Sequence, residues 1–260
     1  MVADLAVEIS STHAQARTGS MDSREGMMVR LGAVEISRFI DVSAVKVDDG
    51  EQEVRAMVAT ARRYCCAAVF ALPSWTPLVL DLLSGETRVA CGAAVGFPSG
   101  GQTARTKAAE TSELRTMGCR EIDMVINIGK LVSDRRDEVR DDIRAVVEEA
   151  GGLPVKVILE CHYLSDNQIR TGCDCAVEAG AAWVKTGTGL APTGATLENV
   201  ALITRHVGGA IGVKAAGGVR GLETLLEMYR RGARRFGLSW KGAVKVLEAV
   251  ESLPSKAVEI

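Results

Sequence analysis

Three lysines sit inside apolar runs at intervals of 29 residues: Lys156 in Val155-Lys-Val-Ile-Leu-Glu160, Lys185 in Trp183-Val-Lys-Thr-Gly-Thr-Gly189, and Lys214 in Ile211-Gly-Val-Lys-Ala-Ala-Gly-Gly-Val-Arg220. A lone lysine in such a run is most simply a strand-end charge that snorkels to water. Lys185 and Lys214 are each followed by a glycine-containing turn, and together they reverse that preference. An ordinary lysine, with a pKa of about 10.4, is neutral in roughly one molecule in 2,500 at pH 7. Burial beside a second cation enriches the neutral, nucleophilic form. The expected chemistry is therefore covalent catalysis by an amine, with one lysine as nucleophile and the other as its electrostatic activator. Lys156 adds to the same field, although strand alternation leaves its direction open.

Asp123 lies within Glu121-Ile-Asp-Met-Val-Ile-Asn127. A carboxylate inside an apolar strand is costly unless it is paired. Pairing to a lysine and general acid/base work beside an imine are compatible roles, because the pairing tunes the proton transfer. Asp41, in Ile40-Asp41-Val42-Ser43, is a weaker candidate that could simply begin a turn. The turns Gly187-Thr188-Gly189, Gly217-Gly218-Val-Arg220 and Gly237-Leu-Ser239 offer backbone N–H groups suited to phosphate. Glycines can also serve only to permit tight turns. His13, His162 and His206 lack metal-ligand spacing, and Cys173-x-Cys175 falls in a helical pattern where residues two apart do not share a face. No metal and no organic cofactor are expected.

These residues need an element that brings them together. The period of about 30 residues is one strand–helix unit. Apolar strand runs are read near 37–42, 66–72, 88–95, 121–127, 154–160, 182–186, 211–215 and 233–237. Helical patterns fall at 51–64, 103–117, 134–150, 166–179, 197–206, 222–231 and 243–251, with Ser133 or Asp134 and Ser165 or Asp166 as caps. Continuous apolar strands are what burial on both faces requires. The predicted fold class is α/β, a single-domain (β/α)8 barrel over 37–252, with an N-terminal extension over 1–36, helical in part, and a tail over 253–260. An open doubly wound sheet is the alternative, weakened by the lack of a G-x-G-x-x-G turn after the first strand. In a barrel the chemistry sits at the C-terminal strand ends.

The 260 residues are 47% hydrophobic and 25% charged, enough for one full core of this size. A net charge of −2 argues against nucleic acid as a partner. Seven cysteines, an odd number, and an N-terminus carrying Asp4 and Glu8 rather than a basic start argue for reduced thiols and a cytoplasmic protein. No run is long enough for a membrane span.

Beyond these features, the chain resembles the deoxyribose-phosphate aldolase family of class I, Schiff-base aldolases. The resemblance covers roughly 36–250 and rests on Val95-Gly-Phe-Pro-Ser-Gly100 with Thr106-Lys-Ala-Ala-Glu110, Glu121-Ile-Asp-Met-Val-Ile-Asn-Ile128, and the three lysine segments, all in the family's order and spacing. It implies a (β/α)8 barrel and reversible cleavage of 2-deoxy-D-ribose 5-phosphate to acetaldehyde and D-glyceraldehyde 3-phosphate. It makes Lys185 the imine-forming lysine, Lys214 its activating amine, and Asp123 an acid/base group working through water. It assigns phosphate to Thr188, Gly189, Gly217, Gly218, Gly237 and Ser239, with Asp41 and Lys156 in support. Partners are then a phosphorylated sugar and an aldehyde, and a homodimer is a common state of the family.

Four departures stand out. Val42 and Ser43 replace a His-Thr pair common after the first aspartate. Phe70 lies near where cysteine is common, Trp240 follows Ser239 in place of a second serine, and the C-terminal tyrosine of some members is missing. They suggest altered substrate-facing and phosphate-facing edges. Two other readings are therefore kept. One is a diverged lysine aldolase acting on another aldehyde or sugar phosphate. The other is a non-catalytic sugar-phosphate-binding barrel, which would be expected to lose a lysine or Asp123; this chain has lost neither.

Overall fold

Eight parallel strands close on themselves in the computed structural model, which describes residues 30–259. The chain runs through β1 (Arg30–Gly32), α1 (Ala33–Ser37), β2 (Ile40–Ala44), α2 (Glu51–Tyr64), β3 (Ala68–Ala71), α3 (Thr76–Leu82), β4 (Ala90–Val95) and α4 (Ala104–Met117). It continues through β5 (Glu121–Val125), α5 (Ile128–Val132), α6 (Arg136–Ala150), β6 (Val155–Ile158), α7 (Asp166–Glu178), β7 (Trp183–Lys185) and α8 (Leu197–Val207). The last elements are β8 (Gly212–Ala216), α9 (Leu222–Arg230), β9 (Arg235–Ser239), α10 (Trp240–Glu251) and β10 (Ala257–Glu259). Strands β2 to β9 pair in sequence, and β9 returns to β2, with Asp41 opposite Gly237 and Ser43 opposite Ser239. The fold is a (β/α)8 barrel, and closure rules out the open sheet.

The two faces of each strand have different jobs. Ile122 and Met124 of β5, Val213 and Ala215 of β8, and Phe236 and Leu238 of β9 join the apolar layer beneath the helices. The alternate residues, Glu121, Asp123, Lys214, Arg235 and Gly237, therefore point into the barrel. Lys156 does the same: Val155 and Val157 join the helix-facing layer, while its amine meets Asp123 across the interior. Barrels of this kind usually fill the interior with branched apolar side chains. This one fills it with charge.

Helix ends follow local chemistry. Ser165 caps α7 by accepting from Gln168 N, and Gln168 accepts in return from Ser165 N. Gly118, Gly151 and Gly208 end α4, α6 and α8 in the left-handed conformation. Ser133 and Asp134 do not cap α6. Ser133 ends the short α5, its hydroxyl donating to Gly129 O, and α6 starts two residues later than expected. Helix α3 was not expected either; at 7 residues with Pro77 in its first turn, it offers no long periodic pattern.

The described part of the N-terminal extension is ordered against the tail. Strand β1 pairs antiparallel with β10, Leu31 opposite Val258, and α1 packs on α10. Residues 1–29, and the helical content and His13 expected there, lie outside the described residues. No helix in the described chain is long and apolar enough to cross a membrane.

Candidate active site

Asp123 is the hub of the barrel interior. Its Oδ1 accepts from Lys156 Nζ at 3.1 Å, and its Oδ2 accepts from both Lys185 Nζ at 2.8 Å and Lys214 Nζ at 2.7 Å. Strand register makes this meeting possible, because Lys185 and Lys214 are directly paired between β7 and β8, and Asp123 is paired with Lys156. Lys214 Nζ also lies 2.5 Å from Asp41 Oδ2 as an ion pair. Below it, Arg235 joins Asp41 at 2.6 Å to Glu121 at 2.9 Å, and Lys156 reaches Glu121 at 2.7 Å. Three carboxylates and four cations thus form one continuous network, one positive charge in excess when all are ionised.

The excess shifts the proton affinities of the members. Burial works against the Asp123 carboxylate, but Lys156, Lys185 and Lys214 outweigh it and hold the group well below the usual carboxylate range. Asp41 is likewise opposed by burial, yet Arg235 and Lys214 bring it down to about 2. Lys214 goes the other way. Burial first, then the charges of Lys185 and Lys156, outrun the pull of Asp123 and Asp41 and lower it to about 8. Lys156, equally buried, is raised, because Asp123, Glu121 and Asp41 together exceed its desolvation.

Access separates the three amines. Lys156 and Lys214 are each 1% exposed and Lys185 9%. A cavity of about 500 Å³ opens above the cluster, lined by Lys185, Lys214, Asp123, Asp41, Phe70 and the β7, β8 and β9 loops. Lys156 is not on its wall. Lys185 is the amine best placed to meet a carbonyl, with Lys214 immediately behind it.

A model of DeoC/LacD family aldolases matches residues 43–239. The chain belongs to that family. It is 47% identical over 226 residues to the deoxyribose-phosphate aldolase of Klebsiella pneumoniae, covering 86% of this chain and 91% of the relative. It is 43% identical to that of Sinorhizobium medicae, covering 87% and 91%. The deoxyribose phosphate aldolase of Aeropyrum pernix, a tetramer by its description, superposes with a TM-score of 0.78 at 28% identity, covering 85% of this chain and 92% of that one.

Around the cavity mouth of this DeoC/LacD aldolase, the glycine turns interlock. A Cβ on Gly218 would lie 2.2 Å from Ala195 O, one on Gly194 2.5 Å from Gly217 O, and one on Gly217 3.1 Å from Gly189 N. The loops after β7 and β8 are thus held backbone to backbone, and Thr186 stitches them by donating to Ala216 O and accepting from Ala216 N. Two of the expected hydroxyls differ in what they have left to offer. Ser239 Oγ accepts from Gly242 N at the start of α10, so its own proton stays free for a ligand. Thr188 gives both its N–H and its hydroxyl proton to buried Glu160. Its hydroxyl oxygen also accepts from Leu190 N, so Thr188 has no proton left to offer a ligand.

The departures sort themselves by direction. Val42 is fully buried in the layer beneath the helices, so the change from histidine leaves the cavity wall untouched. Ser43, Phe70 and Trp240 do line the cavity. Asp41 lies in mid-strand with 1% exposure and begins no turn. The sequence reading gave no role to Glu121, Arg235 or Glu160. The first two stand two residues before Asp123 and Gly237, so alternation alone places them on the same inner face. Glu160 is legible as a polar residue at a strand end; its left-handed φ of 55° and its hold on Thr188 are not. Cys173 and Cys175 are buried on α7, and burial pushes their thiols up to about 12 and about 11.

Proposed function

We propose that this aldolase reversibly cleaves 2-deoxy-D-ribose 5-phosphate to acetaldehyde and D-glyceraldehyde 3-phosphate through an imine on Lys185. The observation that carries the reading is the sharing of one carboxylate oxygen, Asp123 Oδ2, by Lys185 and Lys214 at the floor of the cavity.

In the cleavage direction, neutral Lys185 Nζ adds to C1 of the open-chain aldehyde. The proton shed by the amine passes by way of Asp123 Oδ2 to Lys214. Lys214 returns that proton to the carbinolamine hydroxyl, and loss of water leaves an iminium at C1. The C3 hydroxyl then gives its proton to the once more neutral Lys214, the C2–C3 bond breaks, and its electron pair moves toward the iminium nitrogen. D-glyceraldehyde 3-phosphate leaves with C3 as its aldehyde. The remaining enamine takes a proton at C2, and water hydrolyses the resulting imine to acetaldehyde and free Lys185. Lys214 suits the proton-carrying role because its value of about 8 is near a neutral working pH. Asp123, held ionised, serves chiefly to fix the two amines and relay between them.

The phosphate end is supported by the N-terminus of α10, the free hydroxyl proton of Ser239, and the Gly217–Gly218 amides, which donate to nothing among the described residues. Arg220 and Lys241 add positive charge at the same mouth. Trp240 and Phe70 favour a second reading, in which the same imine serves a different acceptor aldehyde. An assay coupled to reduction of D-glyceraldehyde 3-phosphate distinguishes them. Turnover of deoxyribose 5-phosphate that vanishes in Lys185→Ala is expected. Turnover only with another sugar phosphate or aldehyde supports the second reading.

A further inference from the structure

Among the described residues, Phe70 is the one aromatic ring lodged beside the charge network. It projects inward from β3, and its tip fills the space left by Gly92 on β4, where a Cβ would lie 2.3 Å from Phe70 Cζ. The notch holds the ring in place. Lys214 Nζ lies 4.4 Å from the ring centroid and Lys156 Nζ 4.9 Å, both within the reach of a cation–π contact. The ring is 4% exposed and forms part of the cavity wall.

We propose that Phe70 is a positioning residue that tunes the proton affinity of Lys214, keeping that amine a competent proton acceptor for Lys185. This rests on the imine reading above. The groups facing Lys214 are Asp41 from β2, Asp123 from β5, Lys156 from β6 and Lys185 from β7, with Arg235 of β9 behind Asp41. Two of these attract its proton directly, and the neighbouring amines expel it. The negative face of the ring is a further source of attraction, and one that needs no additional carboxylate. Without it, burial and two neighbouring amines would drive Lys214 further from its ordinary value and make it a weaker base than the reaction needs. The ring also excludes water from the amine, which acts in the opposite sense. Substitutions can separate the two effects, because an aliphatic side chain keeps the dryness and loses the quadrupole.

The test follows Lys214 directly, by NMR titration of protein carrying 13C at lysine Cε, with the resonance assigned by its loss in Lys214→Met. Phe70→Leu should lower the Lys214 midpoint by about half a pH unit or more. Phe70→Met, a second aliphatic filler, should move it in the same direction. Phe70→Ala, which admits water, should raise it. Thermal melts confirm that each variant is folded. A midpoint unmoved or raised in both Phe70→Leu and Phe70→Met overturns the proposal. The rising limb of kcat/KM with pH tests the underlying reading separately. A fall in the NMR midpoint with no change in that limb supports the role of Phe70 and removes Lys214 from the proton path.

Discussion

Among the described residues, lysine and aspartate are buried together in two places, and the two clusters are built differently. Between α4 and α6, Lys107 Nζ meets Asp142 Oδ2 at 2.6 Å and Val125 O at 2.9 Å. One cation answers one anion. Burial dominates both, lowering Lys107 and raising Asp142 despite their mutual attraction. Inside the barrel, four cations crowd three carboxylates, and attraction holds Asp123 ionised while Lys214 is left short of compensation. Lys107 is fully buried and is not on the wall of the barrel cavity, which Lys185 and Lys214 share. Burial of charge alone does not mark a reactive site. An imbalance of charge that opens onto a cavity does.

The sharpest way to break the comparison is to remove one amine from each cluster. Lys185→Ala should cost about 10⁴-fold or more in kcat, as loss of a covalent nucleophile does, with little change in melting temperature. Lys107→Met should behave oppositely. Leaving Asp142 uncompensated should cost about 3–5 kcal/mol of stability in chemical denaturation, with kcat per folded molecule nearly retained. The double variant Lys107→Met with Asp142→Leu should recover most of that loss, since a buried pair is worth little more than apolar packing. A large kcat loss in the folded double variant would mean that the helix pair reaches the chemistry.

Lys214→Met should reduce kcat/KM by about 10²–10⁴-fold, the usual range for a proton-transfer group. It should also abolish the limb that rises with pH toward about 8 in the wild type. A surviving limb would assign it to another group. The smallest expected effect is on acid stability. The folded-state value of Asp41, about 2 against an ordinary 3.8, is depressed, so its contribution is fully present above pH 3.8 and is lost as pH falls through about 2. The loss should be about 2 kcal/mol, and an acid titration of Asp41→Asn should lack it.

Much of this site was legible because period and alternation are properties of the chain itself. The 29-residue spacing of Lys156, Lys185 and Lys214 is one strand–helix repeat; it sets Lys185 directly opposite Lys214, while Lys156 pairs with Trp183, two residues before Lys185. What could not be read was direction and occupancy. Val42 and Ser43 are adjacent departures, yet strand parity sends one under the helices and the other to the cavity. Thr188 reads as a phosphate ligand until Glu160, 28 residues away, takes both its protons. The pairing of β1 with β10 joins segments over 220 residues apart, which no local pattern encodes.

The central claim is that Lys185 forms the imine and Lys214 serves it. Borohydride reduction in the presence of deoxyribose 5-phosphate, and separately of acetaldehyde, followed by peptide mass spectrometry, tests it most directly. A reduced two-carbon adduct on Lys185 with acetaldehyde, absent in Lys185→Ala and formed more slowly in Lys214→Met, is the predicted result. An adduct on Lys214 or Lys156 instead, or none on folded protein with either compound, would contradict it.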